Sequence, residues 1–192
     1  MTISIIKDGR GTGENAGVDA NGRVLVSSVH KTTELQAAID GDAYNLNTGD
    51  IALTDGTVTS SILWFKNTDS NAYVLKALAF GQNTRGGTIN DGAVVTMVRN
   101  PTALSVSNAI AQSGNRNFND ASSAPATIYA GEQGATFTGG TDIAQFYMGG
   151  GNRLFAGIDF YLPQGSSMGV KYLGNNTGAV DVYSALIGYW EG

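Results

Sequence analysis

Hydrophobic and polar positions alternate most regularly over residues 153–172, RLFAGIDFYLPQGSSMGVKY. Leu154, Ala156, Ile158, Phe160 and Leu162 take the even positions, with Phe155, Gly157, Asp159 and Tyr161 between them. A period of two predicts a strand whose even face is buried. Pro163 and Gly165 then supply a fixed φ and a residue tolerant of positive φ, and alternation resumes at Met168, Val170 and Tyr172. The stretch reads as a β-hairpin.

Strand-length runs recur at 48–54, 60–67 (SSILWFKN), 72–81 (AYVLKALAFG), 93–100 (AVVTMVRN) and 179–190 (AVDVYSALIGYW), with weaker ones at 127–129 and 143–148. Asp55 with Gly56 and Asp91 with Gly92 mark turns between them. Residues 101–126, rich in Asn, Ser and Ala, read as a long loop holding at most one short strand. Beyond Ala185 the closing run is apolar on both faces, which fits a central strand or one covered by another subunit.

A single helix is predicted, over residues 32–40. Thr33 and Gln36 have capping-box spacing, Leu35, Ala38 and Ile39 share a face, and Gly41 ends it. Ahead of it lie a short apolar run at Ile3 to Ile6, the glycine-rich GRGTGENAG and a turn signal at Asn21 and Gly22. This opening cannot form a core alone. The reading is therefore an all-β, antiparallel β-sandwich, jelly-roll-like, over 48–192, preceded by an extended N-terminal arm over 1–47 that includes the helix. Ordering such an arm requires its apolar anchors to be buried. Ile3, Ile5, Val24, Leu25 and Val26 are the candidate anchors against a partner, with Lys7, Arg10 and Arg23 as polar contacts.

Composition narrows the function classes. A chain of 192 residues is most simply one domain with a sizeable core. Cysteine is absent, which excludes disulfides and thiolate metal sites. Sixteen acidic and 11 basic side chains, a formal charge of −5 without blocks of either sign, speak against nucleic acid as a partner. The opening apolar run is too short for a signal peptide, and no segment reaches the ~18 apolar residues of a membrane span, so a soluble protein made in the cytoplasm is expected. With 27 glycines and only 14% charged residues, much of the surface is Asn, Thr, Ser and Gly, a balance that fits extra burial in an assembly.

Candidate chemistry is sparse. Gly165, Ser167 and Gly169 match the pattern G-x-S-x-G, but between two strands rather than at the strand-to-helix turn a nucleophile elbow needs, and His30 is the sole histidine. Glycines 9, 11, 13 and 17 miss phosphate-loop spacing. Asp40, Asp42, Asn45, Asn47 and Asp50 bring oxygen ligands close together, yet the Ca²⁺-loop pattern fails at Tyr44 and Leu46, and turn-forming Asx residues account for them more simply. Asp159 and Asp181 are the carboxylates available on strands for glycoside hydrolysis; both fall on odd, solvent-facing positions. Trp64 has the spacing of a core residue. No cofactor, metal site or catalytic residue is expected.

The segments KDGRGTGENAGVDANGRVLV, TGDIALTDG, ILWFKN, VVTMVRNPT and LPQGSSMGVKY resemble those of β-sandwich virion proteins of tailed bacteriophages, of the kind that decorate capsids. The resemblance implies a non-enzymatic structural protein on the outer surface of the virion, often a homotrimer, with the major capsid protein and itself as partners. A tail- or fibre-associated module that binds a receptor or a carbohydrate is the alternative, and it is expected to group exposed aromatic side chains at loop ends.

Overall fold

The computed structural model describes residues 32–84, 92–109, 112–148, 153–175 and 178–191, with the backbone of two short segments before them. The chain divides into two units, Met1–Thr32 and Thr33–Gly192. In the first, β1 (Gly17–Val18) pairs antiparallel with β2 (Val24–Leu25), Gly17 opposite Leu25. The candidate anchors Ile3, Ile5 and Val26, the candidate polar contacts Lys7, Arg10 and Arg23, and His30 lie outside the described residues; Val24 and Leu25 are placed in β2 by their backbone alone.

The second unit opens with helix α1 (Thr33–Asp40), followed by β3 (Ala43–Asn47), β4 (Ile51–Leu53), β5 (Ser60–Asn67), β6 (Tyr73–Thr84) and β7 (Ala93–Arg99). Three short strands come next: β8 (Ala103–Leu104), β9 (Asn108–Ala109) and β10 (Gln112–Asn115). The remainder comprises β11 (Ala126–Ala130), β12 (Phe137–Thr138), β13 (Thr141–Met148), β14 (Arg153–Leu162), β15 (Ser167–Leu173) and β16 (Val180–Trp190). One sheet runs β10-β3-β16-β6-β14, with β4 also on β16; the other runs β13-β7-β15-β5-β11-β9; β8 and β12 form a separate ribbon. The strand pairings among the described residues are antiparallel, and the two sheets share one core that includes Leu46, Phe65, Leu75, Leu78, Met97, Val170, Val182 and Leu186. The expected all-β antiparallel sandwich is what the chain builds.

Four local readings are corrected. Residues 153–172 do not form a hairpin: β14 pairs with β6 in one sheet and β15 with β5 and β7 in the other, so the turn at 163–166 is a corner between sheets. Period-two burial records which face meets the core; it carries no information about which strand is the hydrogen-bonded neighbour. Gly165, at φ 79°, donates its backbone N–H to the Asn67 carbonyl at 2.9 Å, and Asn67 donates to the Ser166 carbonyl at 3.0 Å, which ties the corner to the end of β5.

The sandwich unit also begins earlier than residue 48. β3 lies between β10 and β16, with Tyr44 and Leu46 in the core, so residues 43–47 are sheet rather than arm. In α1 the buried face is Ala37, with Ala38 beside it, against Ala43, Val74 and Tyr189, while Leu35 and Ile39 are exposed. Gln36 reaches forward to the Asp40 carboxylate at 2.8 Å in place of a capping box. The stretch 101–126 holds three short strands, and β10 extends a sheet edge beside β3. β16 is internal, paired on both sides by β3 or β4 and β6, which accounts for its apolar faces within the subunit.

Two core tyrosines set the alkaline limit of this fold. Tyr172 donates its phenol to Gln82 Oε1 at 2.8 Å, and burial pushes its pKa up to about 12; burial pushes Tyr73 up further. Unfolded tyrosines lose their protons near pH 10, so above that the native state holds more protons and stability falls as pH rises. The urea midpoint is expected to drop between pH 9 and pH 11. Tyr172→Phe should flatten that dependence, and an unchanged slope in the variant would exclude Tyr172 as a source.

Candidate binding cleft between the edge strands

β13 and β14 each form one edge of their respective sheets, the other edges being β9 and β10 among the described residues. Their inner faces pack on the core only in part: Ala144 and Phe146 from β13, and Leu154, Ile158 and Phe160 from β14, remain half-buried. Each is covered from one flank alone. Their outer faces carry aromatic rings where polar residues are the rule, with Tyr147 72%, Phe155 71% and Tyr161 64% exposed. Both strands carry a register shift, at Ile143 in β13 and beyond Gly157 in β14, which breaks the regular edge.

Near the 163–166 corner a cleft of about 370 Å³ opens. Phe160, Leu162 and Met168 line it with apolar surface, Ile143 and Tyr161 contribute from the two edge strands, and Pro163 and Ser166 from the corner. Arg99 and Asn100 supply polar groups. Ala93, Val95 and Met97 are core residues of β7, so the same phase points Arg99 inward at the end of the strand, opposite Met168 and Thr141. Its side chain is exposed and has no ion pair with a described residue. Asn100 follows at φ 52°, a left-handed conformation that asparagine tolerates better than most residues, and its N–H donates to the Ser167 carbonyl at 2.9 Å.

The residues considered for catalysis are engaged elsewhere. Ser167 is in β15, its hydroxyl donating to the Pro101 carbonyl at 2.7 Å, and Trp64 Nε1 donates to that same carbonyl at 2.9 Å. The G-x-S-x-G match thus spans the corner and the first residues of β15. Trp64 is buried under the β8–β12 ribbon with Leu104 and Ala135, stacked on Tyr129 at 5.5 Å. Asp159 pairs with Lys76, which also lies 3.5 Å from Glu34, and these carboxylates raise the lysine's pKa.

Asp181 stands opposite Asn83 on β6, whereas Asp159 meets Lys76 on the same strand. Seven residues of strand separate those positions, roughly 23 Å at ~3.3 Å per residue, well beyond the ~5–9.5 Å between paired glycosidase carboxylates. The Asp40 to Asp50 cluster is dispersed by β3, and Asn47 Oδ1 accepts the Gly49 N–H at 2.9 Å as an Asx turn. Among the described residues no three His, Cys, Asp or Glu side chains gather as metal ligands. No helix there is long and apolar enough to cross a membrane.

A polar depression of about 310 Å³ on the outer face of the β16–β6–β14 sheet is lined by Asp50, Asn83, Arg153, Asp181 and Tyr183, with the Tyr183 ring lying against Gly81. Arg99, Tyr147, Phe155 and Tyr161 are the residues that sequence reading passed over. Their signal was present: Phe155 and Tyr161 sit on the odd face of a strand whose even face is core, and Arg99 continues an inward row. A scan against protein-family models finds no match, and a search of curated proteins finds none either.

Proposed function

We propose that this chain is a non-enzymatic structural protein that works by attachment, using the side of the sandwich formed by β13 and β14. The observation that carries this reading is the exposure of Tyr147, Phe155 and Tyr161 on those strands. Aromatic side chains bury ~150–250 Å² each, so Phe155 and Tyr161 leave roughly 270 Å² uncovered along the outer face of β14, and Tyr147 adds roughly 140 Å² on that of β13. Interfaces are enriched in such residues.

The strand order supports the reading more loosely. The principal strands run β3-β16-β6-β14 in one sheet and β13-β7-β15-β5 in the other, the first pairing with the last, which we take as a jelly-roll winding. That architecture serves both capsid and lectin domains. The most exposed ring on a loop is Phe118, and Tyr147, Phe155 and Tyr161 lie within two residues of the ends of the edge strands. Together with the resemblance of the sequence segments, the exposed aromatic face makes decoration of a tailed-phage capsid, with the major capsid protein and further copies of the chain as partners, the specific role proposed.

The polar depression around Tyr183 favours the alternative, a tail- or fibre-borne carbohydrate-binding module. The decisive experiment is copurification with intact particles. The doubly substituted Phe155→Ser, Tyr161→Ser protein should fold with an unchanged circular dichroism spectrum and lose at least about tenfold in particle occupancy. Unchanged occupancy overturns attachment through this face, and retention on immobilised glycans in place of particles supports the module.

A further inference from the structure

We propose that the cleft at the open end of the core binds a carboxylate borne on an apolar group, with Arg99 holding the carboxylate and Phe160, Leu162 and Met168 receiving the apolar part. The cleft shares Tyr161 with the attachment face, and the inference concerns the apolar wall behind that ring and the Arg99 cation at the rim.

Three observations carry it. First, Arg99 stands at the exposed end of an inward row, Ala93, Val95 and Met97, which puts a cation at the rim of the apolar cleft. A residue that breaks the local pattern without a compensating contact marks a functional position more often than a structural one. Second, it has no acidic partner among the described residues; Asp142, on the neighbouring strand, is held by Lys171 at 2.7 Å. A guanidinium presents a planar fork of donors that matches a carboxylate in two parallel hydrogen bonds.

Third, the space beside it has the size and make-up of a small-ligand site. About 370 Å³ falls within the ~300–1,000 Å³ of such pockets, with an apolar wall of Ile143, Phe160, Leu162 and Met168 and polar groups from Arg99, Asn100, Ser166 and Ser167. Ser167 cannot compete for the ligand, because its hydroxyl is committed to the Pro101 carbonyl. The chain's overall charge of −5 repels anions at long range, so recognition here is a local effect of one cation beside apolar surface. Neither a fully polar anion nor a neutral apolar molecule satisfies both halves of the cleft.

The carboxylate can be that of a free aliphatic acid or the C-terminus of a polypeptide ending in an apolar residue. Titration of the full-length protein with octanoate, 1-octanol, a short peptide ending in Leu-Leu with a free carboxylate, and the same peptide amidated separates these sources. Octanoate binding with weak octanol binding is the expected result; preference for the free-acid peptide over its amide assigns the site to protein C-termini. Arg99→Gln should weaken carboxylate binding by about tenfold or more, the scale of a charge-assisted hydrogen bond.

Arg99→Leu provides a second readout, because it completes the apolar row. Its thermal midpoint should rise by a few degrees while carboxylate binding is lost, the trade expected where a functional residue displaces a stabilising one. Failure of both carboxylates to bind at millimolar concentration, equal binding of octanol and octanoate, full binding by Arg99→Gln, or a lowered midpoint in Arg99→Leu would each overturn the assignment.

Discussion

Trp190→Ala is expected to cost about 4 kcal/mol, a large share of the ~5–15 kcal/mol that separates folded from unfolded chains. Trp190 ends the innermost strand of its sheet and is 2% exposed. Its ring meets Tyr73 at 4.5 Å, Tyr44 edge-on at 5.3 Å and Phe65 at 6.4 Å, so truncation empties the centre of an aromatic cluster that joins both sheets. The indole N–H also donates to Asn67 Oδ1 at 2.9 Å.

That asparagine is fully buried with every side-chain group engaged: Oδ1 accepts from Trp190 and from the Asp69 N–H at 3.0 Å, and Nδ2 donates to the carbonyls of Leu162 at 3.0 Å and Asn71 at 2.8 Å. Trp190→Phe keeps most of the packing and removes one donor, so it should cost about 1–2 kcal/mol. Asn67→Leu strands two carbonyls and two N–H groups and should approach the cost of Trp190→Ala. Urea denaturation of the three variants tests the account. A Trp190→Ala loss below about 1.5 kcal/mol would refute it, as would a Trp190→Phe variant as unstable as the alanine. Because Asn67 also holds the corner whose Pro163 and Ser166 line the cleft, damage to this hub should reach carboxylate binding as well.

The alternation in residues 153–162 and in 180–190 located two strands correctly, because burial of one or both faces against a second sheet leaves a direct mark on side-chain type. Partnership leaves none. The corner at 163–166 looks like a hairpin turn in sequence, since a chain that reverses between sheets uses the same Pro and Gly as one that reverses within a sheet. β3 was missed because AYNLN has the Asx-rich character of a loop, and only Tyr44 and Leu46 report its inner face. β13 was shortened because Ile143 stands at the register shift and breaks the phase of Ala144, Phe146 and Met148.

The cleft follows the same division. Tyr161 was legible as an aromatic residue on an outward face, and Arg99 as a charge in an inward row. Their convergence was not, because it depends on β13 and β14 being edges of different sheets that lie side by side, a fact set by strand order rather than by composition. Asp159 and Asp181 illustrate the converse. Equal phase placed both on the outer face, and only the register showed how far apart they are.

Gly131→Ala is expected to be among the most damaging single-methyl additions in the chain, at about 3 kcal/mol or more, for a reason that no sequence pattern records. Gly131 follows β11 with its N–H donating to the Ile62 carbonyl at 3.0 Å, and a Cβ there would stand 1.7 Å from the Ser61 carbonyl oxygen and 2.9 Å from Ile62 Cα. These are backbone atoms of β5, so no side-chain rotation relieves the contact. The two strands must part. What they would release is the loop that follows: Ala135 O accepts the Ser61 N–H at 2.8 Å, Gly134 N donates to Ser60 Oγ at 3.0 Å, and Gln133 Oε1 accepts the N–H groups of Thr54 at 2.8 Å and Asp55 at 3.1 Å. One methyl group therefore uncouples β11, the β4 turn and the start of β5 together. For a chain of this size the loss corresponds to a fall of roughly 10 °C in thermal midpoint. Gly134→Ala serves as the control: Gly134, at φ 70°, has nothing within 4 Å of an added Cβ and should lose only about 1 kcal/mol to backbone strain. Equal losses in the two variants would show that close approach to β5 is not what requires glycine at 131.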